Sequence, residues 1–178
     1  MADSKKRTVV LGLVFVLLLV IAYAENSSFF GSVGDVFSNP LVAVLFIFMH
    51  NILVVSLILL GMSFYVGFVV NLMSNRKEEY VILHNPRIFA FIFTLIVIFI
   101  SILRASMLVY GQVFLSTLVF VVLLSTPNAI IEGYGIFQTI EKTLKNKMTI
   151  KALVSIYLLF FVAAVIEVGY VYLLRGAV

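Results

Sequence analysis

Five long apolar runs dominate the chain, at residues 9–24, 41–73, 88–110, 113–131 and 150–174. They are continuous rather than alternating. A membrane barrel would instead show segments of about ten residues with strict in–out alternation. A bilayer core of about 30 Å needs roughly 20 helical residues. The pattern therefore predicts an all-α, polytopic transmembrane helical bundle forming one domain over residues 1–178, with spans at about 8–24, 41–73, 88–110, 113–140 and 150–174. The second run would reach about 50 Å as a helix. It is either one long tilted helix or two spans broken at Gly61.

The placement of charge chooses between these counts. Lys5, Lys6 and Arg7 precede the first run, Arg76, Lys77 and Arg87 follow the second, and Lys142, Lys145, Lys147 and Lys151 separate the last two. Residues 25–40 and 110–112 contain no Lys or Arg. Basic loops stay in the cytoplasm. Five spans put all three basic groups there, with the N-terminus inside, the C-terminus outside, and long or kinked second and fourth helices. Only Arg175 then lies outside, where it can snorkel to headgroups. The loop at Lys142–Lys147 reads as a topology determinant touching anionic headgroups. The first run has a rival reading: basic residues, an apolar stretch and Ala22-Tyr23-Ala24 resemble a secretory signal with its cleavage site. We take it as an uncleaved anchor. Residues 25–40 mix Phe29, Phe30 and Phe37 with Ser, Gly and Asp, which fits an amphipathic interfacial stretch or a solvated loop.

Composition agrees with this class. Hydrophobic residues make up 63% and charged residues 11%, against roughly 45–50% and 25% in soluble domains, so a water-soluble fold of this length could not hide its apolar surface. There is no cysteine, which excludes a disulfide framework and any thiolate chemistry. The basic residues form no surface stripe, so no nucleic-acid partner is expected. Neither a nucleophile elbow nor an H-E-x-x-H site is present, and an enzyme is not expected.

The polar residues inside the apolar runs are the candidate chemistry. A charge at bilayer depth costs roughly 2.5–3.5 kcal/mol on insertion scales, so it needs a partner, a wet cavity or a function. Counting at about 1.5 Å per residue places Arg104 and Glu167 at similar depths, about 9 and 10 Å below the outer ends of their helices. An ion pair between spans three and five is the economical expectation; the alternative is separate snorkelling. His50 and Asn51 lie roughly 15 Å down and read as interhelical polar contacts. The fourth run carries Ser125-Thr126-Pro127-Asn128-Ala129-Ile130-Ile131-Glu132-Gly133-Tyr134-Gly135. Pro127 removes a donor and kinks or breaks the helix, Ser125 and Thr126 can bond the freed carbonyls, and Asn128 and Glu132 share a face at i, i+4. Pro127, Asn128 and Glu132 thus form a candidate functional polar cluster, of the kind transporters build at broken helices. The alternative is a structural kink with Glu132 about 30 Å from the outer end, near the inner interface, half wet and without a basic partner. Gly133, Gly135, Gly61, Gly67, Ala163, Ala164 and Gly169 are candidate close-packing positions. Tyr110, Tyr170 and Tyr172 fit an outer aromatic belt. No metal or cofactor site is apparent.

At these residues the chain resembles the stage II sporulation protein M family of integral membrane proteins. Phe48-Met49-His50-Asn51 and the helix reaching Gly61 are similar to that family's aromatic-x-x-Asn opening and later glycine. Pro127-Asn128-Ala129-Ile130-Ile131-Glu132 resembles its Pro-His-Gly-x-x-Glu signature, and Ala163-Ala164-Val165-Ile166-Glu167 resembles its final-helix Ala-x-x-Glu pattern. Asn128 and Ala129 depart from the family His and Gly, and no Asn-Gly stands near Tyr110-Gly111. The resemblance covers residues 41–174. It implies a membrane scaffold or remodelling component, with the lipid bilayer, further copies of the chain or other membrane proteins as partners. The rival expectation is a small transporter or channel subunit with a polar path at the fourth helix.

Overall fold

The computed structural model describes residues 2–31, 33–72, 81–110 and 115–175. Arg76, Lys77, Tyr80, Gly111 and Gln112, and the side chains of Phe29, Phe30, Tyr110 and Arg175, lie outside what is described. The described residues are almost wholly helical, with no strand: α1 Ala2–Gly31, α2 Val33–Val36, α3 Pro40–Leu72, α4 Val81–His84, α5 Pro86–Tyr110, α6 Leu115–Leu144 and α7 Ile150–Arg175. Four of them carry segments long and apolar enough to cross a membrane, at Lys5–Glu25, Pro40–Asn71, Pro86–Arg104 and Ile150–Leu174.

The five long helices run up and down in sequence order. We call the end holding α2 the upper end and the end holding the α6–α7 turn the lower end. α1 packs on α3, α5 on α6, α6 on α7, and α3 also against α6 and α7. α3 is a single helix with no break at Gly61; instead, a Cβ there would stand 3.0 Å from the Phe15 ring of α1. Gly12 receives Phe64 in the same way, and Gly67 receives Thr8. The glycines thus let α1 and α3 approach closely.

Local signals explain the helix ends. The Asn39 side chain accepts from the Leu41 amide at 3.0 Å, capping α3 with Pro40 at its first position. α6 ends on Asn146 at φ 53°, with the Lys147 amide donating to the Lys142 carbonyl and the Asn146 amide to the Thr143 carbonyl. This is the left-handed stop that favours Gly or Asn. Thr149 then caps α7 by accepting from the Ala152 amide.

Two apolar layers fill the interior. The upper one includes Phe37, Ala43, Ile47, Val121, Ala164 and Val171. The lower one includes Val55, Ile58, Ala90, Ile136, Ile140 and Phe160. The perimeter is also apolar: Leu13, Leu17 and Val20 of α1 and Phe91, Leu95 and Phe99 of α5 are exposed. Exposed apolar faces of that kind are compatible with a multi-pass membrane protein.

Several expectations require correction. Residues 25–40 are not a solvated loop: α1 continues to Gly31, and Phe37 is buried, accepting a 2.6 Å hydrogen bond from the Tyr172 hydroxyl at its carbonyl. Tyr170 is not a belt residue but is buried in the upper layer. Gly169 is exposed and meets nothing within 4 Å, so it serves no close contact. α6 runs unbroken through Pro127.

Candidate functional site

A polar cluster lies between the two apolar layers, and five helices contribute to it. Arg104 of α5 places Nη2 2.9 Å from each carboxylate oxygen of Glu167 on α7. The same nitrogen is 3.9 Å from Glu132 of α6. Glu132 also accepts from the Ser101 hydroxyl at 2.9 Å and from the Asn51 amide of α3 at 3.4 Å. Asn128 lies one turn before Glu132 on the same face of α6 and is buried with it. Glu167 is 1% exposed, Asn128 2% and Glu132 5%. At the rim, His50 Nδ1 lies 2.9 Å from Glu25 of α1. Tyr170, three residues after Glu167 on α7, is buried as well.

Glu132 is therefore neither half wet nor without a basic partner. The difference is geometric. Ser101 lies about 14 Å from the end of α5 and Glu132 about 26 Å from the start of α6 at 1.5 Å per residue, yet they touch. Equal distance from a helix end does not mean equal depth when helices overhang or tilt. Close packing sets the actual level. A Cβ on Gly133 would stand 2.5 Å from Ile98 of α5, and one on Gly135 2.5 Å from Phe160 of α7, so these glycines bring α6 against both neighbours at the height of the cluster.

Pro127 is part of the helix but not of the site; it is exposed, on the face away from Asn128 and Glu132. The hydroxyls of Ser125 and Thr126 both turn back to the Val122 carbonyl, at 3.4 and 2.7 Å. Pro127 lacks the amide that would bond Leu123, so these bonds fall one residue short of the freed carbonyl.

The cluster opens onto a cavity of about 640 Å³. His50, Asn51, Ser101, Arg104 and Glu132 form its polar part, and Leu19, Ala22, Tyr23, Val54, Val97, Ile100, Leu103, Met107, Ile136 and Phe160 its apolar part. Three polar atoms in the cluster, Arg104 Nε, Asn128 Oδ1 and, at the rim, Glu25 Oε1, are buried without a hydrogen-bond partner. Among the described residues no group of three His, Asp or Glu side chains is disposed to hold a metal ion.

Sequence reasoning passed over Glu25 and Ser101. Ser101 precedes Arg104 by three residues and so shares its face, which was a readable signal. Glu25 had none, because its role depends on α1 continuing past the apolar run. A second polar set lies at the lower end, where Glu141 accepts from Arg87 at 2.7 Å and is also paired with Lys145. These hydrogen bonds, from Lys145 first and then Arg87, hold the Glu141 carboxyl below its usual range.

Comparison of the chain with protein-family models, with curated proteins and with solved structures finds no match.

Proposed function

We propose that this is a non-enzymatic, multi-pass protein of the cell membrane, acting as a scaffold or membrane-remodelling component of the kind the stage II sporulation protein M resemblance implies. In this reading α6 is the fifth span, the N-terminus is cytoplasmic and the C-terminus outside, as the positive-inside distribution favours. One observation carries it: Arg104, Glu132, Glu167 and Asn51 join four helices in one buried, hydrogen-bonded cluster. Such a tie fixes the register of helices in lipid, where apolar packing alone specifies little. Further copies of the chain or other membrane proteins would dock on the exposed helix faces.

A second reading, a small transporter or channel subunit, has a specific observation of its own: Glu132 and Arg104 line a cavity rather than being sealed off. Glu132→Gln and Glu167→Gln separate the two. The scaffold reading expects both variants to lower stability and protein level, with no solute or proton flux from wild-type protein in liposomes. Unchanged levels combined with loss of a wild-type flux would overturn it.

A further inference from the structure

The cavity lies between α1 and α5, which pack mainly on α3 and α6 rather than on each other. Its walls are apolar, from Leu19 and Ala22 on one side to Ile100 and Leu103 on the other, and its floor is the charge cluster. It therefore faces the acyl-chain region sideways, and its volume falls within the range of about 300–1,000 Å³ typical of small-molecule sites.

The cluster beneath the cavity carries more acidic than basic groups. Three carboxylates, Glu25, Glu132 and Glu167, of which only Glu132 lines the cavity, are set against Arg104 and His50. Arg104 Nη2 is committed at 2.9 Å to both oxygens of Glu167, and His50, when protonated, answers Glu25. One negative charge is left over, or two when His50 is neutral. Glu132 has the more distant hold on a cation, with Arg104 Nη2 at 3.9 Å against 2.9 Å for Glu167, and it is also the carboxylate that lines the cavity. An uncompensated charge at this depth is costly and is relieved by a proton or by a bound cation.

We propose that this cavity binds a hydrophobic ammonium, with a primary amine head against Glu132 and an alkyl tail along the α1 and α5 walls. This rests on the cavity reading above, and it names that site's ligand class. On binding, the ammonium N–H groups donate to the free lone pairs of Glu132, whose other bonds from Ser101 and Asn51 are retained.

The chain contains no tryptophan, so an introduced one is a clean reporter. Leu19→Trp protein in nanodiscs would be titrated with 12-bromododecylamine, 12-bromododecanol and 12-bromododecanoate, with Leu158→Trp, on an exposed face outside the cavity, as control. The expected result is saturable quenching of the Leu19→Trp signal by the amine at about tenfold lower mole fraction than by the alcohol or carboxylate. Glu132→Gln on that background should remove the preference, and Ala22→Phe should remove saturation by filling the cavity. Equal, saturable quenching by all three heads, or a preference that survives Glu132→Gln, overturns the ammonium assignment while leaving a ligand cavity. Quenching that never saturates and matches the Leu158→Trp control overturns the cavity reading itself. Should Glu132→Gln fail to fold, the head-group comparison and Ala22→Phe still decide.

Discussion

Arg104 and its two carboxylates are not equivalent partners. Glu167 takes both short contacts, whereas Glu132 stands at 3.9 Å and has its own donors in Ser101 and Asn51. Removing Glu167 leaves a buried guanidinium poorly answered, a class of change that costs about 3–5 kcal/mol. Removing Glu132 leaves one cation and one anion. Glu167→Ala is therefore expected to lower the thermal midpoint in detergent clearly more than Glu132→Ala, and the reverse order would refute the assigned roles. At the lower end, Glu141 offers a pH test. Its carboxyl is held low by Lys145 and Arg87, so its contribution is present above the unfolded-state pKa and is lost as pH falls through the folded value. In Arg87→Gln the acid-side fall in thermal midpoint should be smaller and should level off at higher pH than in wild type. The nearness of Arg104 and Glu167 follows from counting back along two helices that end at the same face. The place of Glu132 does not, because distance from the start of α6 is not depth in the bundle.

At the scale of the element, the glycines of α6 matter more than its proline. The apolar runs announce five long helices, and the residues that cap them, Asn39, Thr149 and Asn146, stand where those runs stop. What runs and caps do not reveal is which helix faces meet. Pro127 is the conspicuous breaker, yet α6 continues through it with the ring on an exposed face. Gly135 is one of several candidate close-packing positions, and a side chain there would collide with Phe160, which is 2% exposed and has little room to move. Gly135→Val is expected to cost about 1–3 kcal/mol by overpacking, and Pro127→Ala much less; chemical-denaturant midpoints would check the order. The docking of Phe37 under Tyr172 was likewise hidden. It depends on α7 ending beside the start of α3, a tertiary fact absent from the local composition of residues 25–40.

Two properties belong to the whole molecule: its direction in the membrane and its cohesion. The proposed orientation places the α6–α7 turn in the cytoplasm and the α2 end outside. Because the chain has no cysteine, single-cysteine variants at Lys147 and Ser38 can be labelled with a membrane-impermeant maleimide. Ser38→Cys should react on intact cells, and Lys147→Cys only after permeabilisation. Cohesion is the central claim: the interior cluster ties α3, α5, α6 and α7 into one bundle, so its charges act on global stability as a unit. Double-mutant-cycle unfolding of Arg104→Met, Glu167→Leu and the pair together measures this most directly. The account predicts that the double variant is milder than either single change, with a coupling of at least about 1 kcal/mol. Losses that simply add would contradict it.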